Sequence, residues 1–187
     1  MKKILFLFIA VLISINVCAT KYYIDPSGVD DGGRNGLTTG TAWATLSYAC
    51  TRAITAGDTI FVNAGTYTET VMSELAVGVS IIGEGITSII KAGDVFRPLL
   101  KLASGVEGTD GNQSISYVNF DGNDTANSII EIYARSNVKI HHCWFYDSVK
   151  DGVLFFSKVN RGEGLITTYS ENNAFYNNYV YNCSHFG

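Results

Sequence analysis

The sequence contains little proline and little positive charge. Only two prolines occur in 187 residues, and 17 Asp and Glu face 13 Lys and Arg. Two of those lysines lie at the extreme N-terminus, in the leader described next, so the rest of the chain has 11 basic residues against 17 acidic ones and a net charge near −6. Proteins that bind nucleic acid need a basic surface to meet the phosphates, so this balance argues against nucleic acid as a partner.

Long apolar runs are confined to the N-terminus. Residues 4–17 are almost all apolar, follow two lysines and are succeeded by small residues. The run is short for a bilayer span, and its flanks predict a cleavable signal peptide over residues 1–19. We expect a protein exported to the periplasm, outer surface or medium, with no membrane span after cleavage. Two alternatives are a retained anchor and a lipoprotein that carries its lipid on Cys18, although the residues before Cys18 make a poor lipidation motif.

Paired cysteines and nucleotide-binding loops are also missing. Beyond Cys18 there are three cysteines, Cys50, Cys143 and Cys183, and none belongs to a CxxC pair. An odd number in an exported protein leaves one thiol free or paired outside this chain, and the spacing argues against zinc. The Gly-Glu-Gly at 83–85 is not followed by the residues that hold a nucleotide phosphate.

One helix and one turn-rich loop are predicted in the first third of the chain. Apolar residues recur at helical spacing over residues 45–56, and Gly57 is suited to end that helix. The preceding loop contains Asp25, Asp30 and Asp31, whose oxygens suit calcium. Their spacing is not that of an EF-hand, so a solvated surface loop is the alternative. No motif requires a cofactor, and calcium is the one metal that these residues suit.

An internal repeat follows the helix. The segments ISYVNF (115–120), IHHCWF (140–145) and FYNNYV (175–180) align, with large apolar residues at their first and sixth positions. The offsets are 25 and then 35 residues, and the polar stretch 158–164 is suited to the extra loop. Strand-length segments at such a period are typical of stacked repeats, in which neighbours cover each other's apolar faces. A chance match within a β-sandwich is the alternative.

The alignment predicts which residues lie in register. Ile115, Ile140 and Phe175 should share one interior column, because like positions of stacked strands lie over one another. If the same register continues beyond the sixth position, it pairs Asn127 with Gly152, each just before an apolar strand.

Four short motifs occur in a fixed order near the N-terminus. They are YYIDPSG at 22–28, AWATL at 42–46, AGDTIFV at 56–62 and AGTY at 64–67. This order resembles the capping segment of the pectate-lyase-like superfamily of right-handed parallel β-helices. The resemblance covers most of the chain after the signal peptide, and its motifs are specific for fold rather than for activity.

The resemblance implies an all-β fold, a right-handed parallel β-helix (solenoid) with a short N-terminal capping helix. One domain would span residues 20–187, with the cap at 20–57 and the coils at 58–187. Members of the superfamily usually have more coils, so we expect a chain truncated at the C-terminus that lacks a complete active site. Members include pectate, alginate and chondroitin lyases, pectin esterases, polygalacturonases and non-catalytic adhesins.

Candidate binding residues come from the outer faces of the predicted strands. Trp144 and Tyr179 fall in one outward column, where aromatic rings suit the apolar faces of sugars, although such rings also stabilise sheets by cross-strand packing. Lys139 and Arg161 belong to a locally basic stretch, 135–161, that could bind an acidic glycan. The alternative for these cations is ordinary solvated charge in turns. We therefore predict substrate binding by Trp144, Tyr179, Lys139 and Arg161.

The function these features favour is recognition of a polysaccharide, in the N-terminal portion of a polysaccharide lyase acting on acidic (uronate) glycans. The alternatives are a non-catalytic cell-surface or adhesin-type protein and a fragment of a pectin esterase or glycoside hydrolase. No catalytic or metal-binding residue is assigned. His141 and His142 read as ordinary surface positions, beside Tyr176 and Tyr117 respectively. Asn178 is predicted to bond backbone between neighbouring strands.

Overall fold

The computed structural model of this chain describes residues 18–93, 98–156 and 170–185. Their regular structure comprises one α-helix, two short 3₁₀ helices and 14 strands. The α-helix α1 is Leu46–Arg52, and the 3₁₀ helices are Thr39–Thr41 and Gly85–Thr87. The strands are β1 (Lys21–Ile24), β2 (Thr59–Val62), β3 (Gly65–Glu69), β4 (Ser73–Glu74), β5 (Ser80–Gly83), β6 (Ser88–Ala92), β7 (Leu100–Ala103), β8 (Thr109–Ser116), β9 (Asn119–Asp121), β10 (Ser128–Tyr133), β11 (Arg135–His141), β12 (Trp144–Phe156), β13 (Ala174–Tyr176) and β14 (Tyr179–His185).

The strands form two sheets in which neighbours run parallel. The six-stranded sheet has the order β1-β2-β5-β8-β11-β13. The eight-stranded sheet has the order β3-β6-β9-β12-β10-β7-β4, with β14 also paired to β12. Most strands pair with strands distant in sequence, so the sheets depend on long-range contacts.

The predicted fold class, an all-β right-handed solenoid closed on itself, is wrong for the described residues. They form two parallel sheets of six and eight strands beside one helix, rather than a closed solenoid. The reason lies in β12, which has 13 residues. Its first part pairs with β9 and its last part pairs with β10, so the strands on either side of it join in one sheet.

The predicted register within the repeat is confirmed. Ile140 pairs with Ile115 on one side and with Phe175 on the other. Ile115 and Ile140 are completely buried, whereas Phe175 is 41% exposed, so its predicted interior position is wrong. Phe175 belongs to β13, the last strand in the order of the six-stranded sheet, and no described strand covers its far edge.

The predicted register beyond the repeat is wrong by two residues. Ser128 pairs with Asp151, and Ile130 with Val153, rather than Asn127 with Gly152. The turn before β10 contains two consecutive residues with positive φ, Asn123 and Asp124. Two additional residues in this turn shift the following strand, which the spacing of apolar residues alone does not reveal.

The apolar core consists of residues from both sheets and from α1. The rings of Phe120 and Phe145 stack with centroids 5.3 Å apart and an interplanar angle of 2°. Removing an aliphatic or aromatic side chain of this size from water stabilises a protein by about 1.5–3 kcal/mol. The largest fully buried apolar side chains are Tyr67, Phe120, Phe145, Ile24, Leu46, Ile60, Leu75, Ile81, Ile90, Leu99 and Leu100.

The helix is shorter than predicted. Helix α1 begins after Thr45, whose hydroxyl accepts a hydrogen bond from the Tyr48 N–H, and ends at Arg52 rather than at residue 56. The backbone N–H of Thr55 instead donates to the carboxylate of buried Asp58, which draws the chain away from the helix axis. The prediction that Gly57 ends the helix is therefore wrong: Gly57, whose φ is +99, lies four residues beyond the C-cap, Ala53.

Asparagine side chains connect neighbouring strands, as predicted for Asn178. Its side-chain oxygen accepts from the Cys143 N–H and its amide donates to the Ile140 carbonyl, each over 2.9 Å. Asn173 makes the equivalent pair of bonds to Val138 and Arg135 over 2.9 and 3.0 Å. These amides satisfy backbone groups within β11, where the pairing shifts between Ser136 and Val138, and just after it at Cys143.

The predicted signal peptide lies largely outside the described residues, which begin at Cys18. Within the described part of the chain, no helix has both the length and the apolar character needed to cross a bilayer.

Candidate functional site

Four aromatic residues on the eight-stranded sheet form what we term the aromatic face: Trp144, Tyr146, Tyr179 and Tyr181. Trp144 pairs with Tyr179, and Tyr146 with Tyr181, in parallel register. Because paired residues on adjacent strands are about 4.8 Å apart, the rings form a two-by-two array. The sequence prediction that Trp144 and Tyr179 are neighbours in one outward column is confirmed.

Alternation along β12 and β14 directs these rings outward. Phe145 lies between Trp144 and Tyr146 and is completely buried, so its neighbours face the opposite side of the sheet. Trp144 and Tyr146 are partly buried, whereas Tyr179 and Tyr181 are 56% and 61% exposed. Exposed aromatic rings that are contiguous on one surface indicate a place for an apolar or amphipathic ligand.

Polar groups border the aromatic face. Asp121, which pairs with Tyr146, forms a salt bridge with Lys91 at 3.1 Å. Burial raises the pKa of Tyr146, and the charges of Asp121 and Asp147 raise it further, so its hydroxyl is a neutral donor at physiological pH. The amide of Asn182 donates to Asp147 over 2.7 Å. The border therefore offers both hydrogen-bond donors and acceptors, as recognition of sugar hydroxyls requires.

The six-stranded sheet carries a separate depression, which we term the polar cleft. Its volume is about 660 Å³. The side chains that line it come from β5, β8, β11 and β13 and from the turns that precede them. They are Ser80, Asn112, Gln113, Ser114, Asn137, Lys139, His141, Asn172 and Tyr176. Lys139 is the cation among them and is exposed.

Two adjacent histidines meet at the end of the polar cleft. The Nδ1 atoms of His141 and His142 are 2.9 Å apart, so one nitrogen donates a hydrogen and the other accepts it. His141 stacks on Tyr176 with centroids 5.0 Å apart, and His142 stacks on Tyr117 at the same separation. Burial lowers the pKa of His141, and the neighbouring His142 and Lys139 lower it further.

The contact between the histidines depends on the backbone of His142. Successive residues of a strand normally point to opposite faces, but His142 has φ +56, which ends the strand and turns its side chain toward His141. Sequence reasoning missed this pair and treated both histidines as ordinary surface residues. The signal in the sequence was the alignment of His142 with Tyr117 and Asn177 in the repeat. All three residues have positive φ in the structure.

A column of asparagines with positive φ borders the polar cleft. Asn112, Asn137 and Asn172 have φ of 48, 56 and 57. They are spaced by 25 and then 35 residues, the same offsets as the repeat. Asparagine tolerates the left-handed conformation better than other residues with a Cβ. The column therefore places amide side chains at a regular interval along the cleft.

The predicted binding residues do not all lie together. Trp144 and Tyr179 belong to the aromatic face on the eight-stranded sheet, whereas Lys139 belongs to β11 of the six-stranded sheet and lines the polar cleft. Arg161 and the predicted loop at 158–164 lie outside the described residues.

The three aspartates considered for calcium bind separate parts of the N-terminal loop. Asp30 accepts from Ala44 and from the Thr45 hydroxyl over 2.7 Å each. Asp25 accepts from Ser27 and Asn63, and Asp31 accepts from backbone N–H groups that follow it. Within residues 18–93, 98–156 and 170–185, no group of three or more His, Cys, Asp or Glu side chains is arranged to hold a metal ion.

Comparisons with known proteins add little to this description. No protein-family model matches the chain, and no curated protein matches it. A solved structure described as Geobacillus virus E2 ORF18 is similar over 51% of this chain, with 14% sequence identity and a TM-score of 0.46. This chain spans 19% of that protein's length.

Proposed function

We propose that this chain is an exported protein that recognises a polysaccharide through its aromatic face. The observation that carries the proposal is the array of Trp144, Tyr146, Tyr179 and Tyr181 on one outer surface, with two of the rings more than half exposed. Cross-strand packing alone would favour rings that cover one another. Exposure at this level instead leaves ring faces for a ligand.

The dimensions of the aromatic face suit a carbohydrate chain. Aromatic rings bind the apolar C–H faces of sugars, and the repeat of about 4.8 Å between strands places consecutive rings under a single extended ligand. Asp147 and Asn182 at the border supply groups for the sugar hydroxyls. Binding of this kind needs no metal and no large movement of the sheet.

Replacing Trp144 by alanine should weaken binding of a glycan to the aromatic face by about tenfold or more, because truncating a central aromatic anchor costs about 2 kcal/mol. Titration calorimetry of the purified chain with oligomers of cellulose, galacturonate, alginate and chondroitin would measure this. Tyr133→Ala is the matched control, because Tyr133 is an aromatic residue of the same sheet outside the aromatic face.

Two further results decide this proposal. Tyr179→Ala should weaken binding of the same oligomer, since its ring neighbours Trp144. If both variants keep the circular dichroism spectrum of the parent and bind every oligomer as tightly as the parent, the aromatic face has no role in recognition.

We further propose that the parent protein is a polysaccharide lyase acting on uronate glycans, with this chain as its N-terminal portion. In such a reaction a base removes the C5 proton, the C4–O bond breaks, and the leaving oxygen takes up a proton as the C4=C5 double bond forms. Support comes from Lys139, an exposed cation without a carboxylate partner among the described residues, which could neutralise a uronate carboxylate.

The lyase proposal predicts formation of an unsaturated uronate, which absorbs in the ultraviolet. Incubating the full gene product with polygalacturonate, alginate and chondroitin, with and without calcium, should increase that absorbance for one substrate. Binding without any increase on all three polymers would reject the lyase and favour a non-catalytic surface protein. New reducing ends or free acid without ultraviolet absorbance would favour a hydrolase or an esterase.

Export can be tested separately. The proposal predicts that a mature chain begins near residue 20 after expression in a bacterial host, because residues 1–19 contain the features of a signal peptide. N-terminal sequencing and mass spectrometry of the exported fraction would measure the cleavage site. A lipid adduct on Cys18 would identify a lipoprotein, and a full-length chain that remains with the membrane would reject cleavage.

A further inference from the structure

The polar cleft is distinct from the aromatic face. It lies on the six-stranded sheet, and its lining shares no residue with the four aromatic residues on the eight-stranded sheet. A depression of this volume, lined by amide, hydroxyl, imidazole and ammonium groups, has the size and polarity of a site for a small polar ligand.

The charge of the polar cleft favours an anion. Lys139 is exposed, and its ammonium has no carboxylate within 4 Å among the residues that the structure describes. The one salt bridge among those residues joins Lys91 to Asp121. None of the side chains lining the cleft is acidic. Asp110 is a carboxylate that hydrogen-bonds to a side chain of the lining, and it accepts from the side-chain amide of Asn137.

His141 can supply a second donor to the same ligand. Its Nδ1 is occupied by His142, so Nε2 is the ring nitrogen that remains for a ligand. When His142 Nδ1–H donates, the neutral His141 ring carries its hydrogen on Nε2. When His141 is protonated, Nδ1–H donates to His142 and Nε2–H is again a donor. Both of these states offer an N–H, and an anion at Nε2 favours them over the other neutral tautomer, whose hydrogen lies on Nδ1.

The spacing of the two donors suits a ligand that spans them. Lys139 and His141 are two residues apart on β11, so both side chains lie on the same face with about 6.7 Å between their Cα atoms. Ser114, which pairs with Lys139, and Tyr176, which stacks on His141, flank them on neighbouring strands. The site is thus assembled on paired strands rather than on a loose loop.

We propose that the polar cleft is a second binding site, which takes an anionic substituent of a sugar, a carboxylate or a sulfate ester, between Lys139 Nζ and the Nε2–H of His141. The proposal rests on glycan recognition as the function of this chain, and it adds a separate subsite on the other sheet. The aromatic face binds the rings of the sugar, whereas the polar cleft binds its negatively charged substituent.

Binding in the polar cleft should be linked to uptake of a proton. Without ligand, burial, His142 and Lys139 keep His141 neutral near pH 7. The ionisable groups around its ring are Lys139 of β11, His142 directly after β11, Tyr117 beside β9 and Tyr176 of β13. A bound anion adds a negative charge, which favours imidazolium, so affinity should increase as the pH falls toward 5.

The test compares ligands and variants by titration calorimetry. The probes are digalacturonate for a carboxylate, N-acetylglucosamine 6-sulfate for a sulfate ester, cellobiose as the neutral sugar and inorganic sulfate as the free anion. Lys139→Gln should weaken binding of one anionic sugar by about tenfold or more. Lys150→Gln, which removes an exposed lysine of β12 that does not line the cleft, should leave that affinity unchanged.

The histidine is tested by pH. The parent should bind the anionic sugar about tenfold more tightly at pH 5 than at pH 8, as a shift of about one pKa unit on binding would produce. His141→Gln keeps an N–H donor but does not titrate, so its affinity should vary far less over this range. The imidazole nitrogen resonances of His141 should also shift on addition of the sugar, a change that a purely structural role would not produce.

Three outcomes would overturn the proposal. They are equal binding of the anionic sugars by the parent and Lys139→Gln, binding of inorganic sulfate as tight as that of the sugars, and a pH dependence retained in His141→Gln. Trp144→Ala separates this proposal from the previous one. If Trp144→Ala abolishes binding of cellobiose and leaves the Lys139 dependence intact, both proposals hold. If Lys139→Gln alone matters, the aromatic face fails and the polar cleft stands.

Discussion

Replacing Arg135 by alanine should lower the free energy of unfolding by about 4 kcal/mol, measured by urea denaturation at pH 7. Arg135 is 1% exposed, although its charge had suggested a solvated turn. Its guanidinium donates to the Leu75 carbonyl over 2.8 Å, to the Gln113 side chain over 3.1 Å and to Ala103. It also donates to the Ser104 hydroxyl over 3.0 Å.

The size of this effect follows from what alanine leaves behind. Two backbone carbonyls and two side-chain oxygens lose their donors inside the protein, and each unsatisfied buried group costs about 1–3 kcal/mol. The removed side chain also leaves a cavity. Relief of the cost of burying a cation offsets part of this loss. Burial lowers the pKa of Arg135, whereas the charge of Glu74 opposes that effect.

Two further variants test this account of Arg135. Arg135→Lys retains the charge but cannot reach all four acceptors, so it should destabilise the protein by about 2 kcal/mol. Arg52→Ala is the matched control, because Arg52 is exposed on α1 and should change the free energy of unfolding by less than about 0.5 kcal/mol. If Arg135→Ala behaves like this control, the network does not stabilise the fold.

Replacing Glu69 by alanine should lower the free energy of unfolding by about 3 kcal/mol. Glu69 is completely buried at the end of β3, and its carboxylate accepts from the N–H groups of Leu46 and Ser47 over 2.7 and 3.0 Å. These are orphan donors of the first turn of α1, where a negative charge is favoured. Alanine leaves both donors unsatisfied within the protein.

The pH dependence of stability should identify Glu69. Burial raises its pKa above 4.5, the bonds to Leu46 and Ser47 partly oppose this, and the charge of Asp30 raises it again. A carboxyl group whose pKa is higher in the folded state stabilises the fold fully below its unfolded pKa. That contribution is lost as the pH rises from about 4.5 through the folded pKa.

The comparison is between the parent and Glu69→Gln at several pH values from 4 to 8. The free energy of unfolding of the parent should fall, relative to that of Glu69→Gln, as the pH passes through this window, because glutamine does not titrate. Glu84→Gln is the control, since Glu84 is exposed. A parent and a Glu69→Gln variant with parallel stability curves would show that Glu69 does not titrate differently in the folded and unfolded states.

Sequence reasoning predicted the local pairing well because parallel strands preserve register. Ile115, Ile140 and Phe175 pair as expected, and so do Trp144 and Tyr179. Once large apolar residues recur at fixed positions, stacking of like positions follows from geometry alone. The same reasoning failed beyond the repeat, because two additional residues with positive φ in one turn shift the register without changing the apolar pattern.

The fold class and the polar cleft were beyond sequence reasoning for physical reasons. No periodicity shows that β12 continues through a bend at Asp147, whose φ is +55, from one set of partners to the next, and that connection joins the two sets of strands in one sheet. The contact between His141 and His142 depends on one backbone angle. The burial of Arg135 depends on acceptors from Leu75 to Gln113, which are far apart in the sequence.

The continuity of β12 also has a geometric consequence. Its 13 residues belong to one backbone that is bonded along its edges to β9, β14 and β10 in turn. Within β12, however, Asp147 has φ +55 and the pairing with β14 is irregular between Ser148 and Asp151, so the strand bends between the aromatic face and the ladder of β10, β7 and β4. The two parts of the eight-stranded sheet therefore share one strand but meet at a bend, so they do not lie in one flat plane.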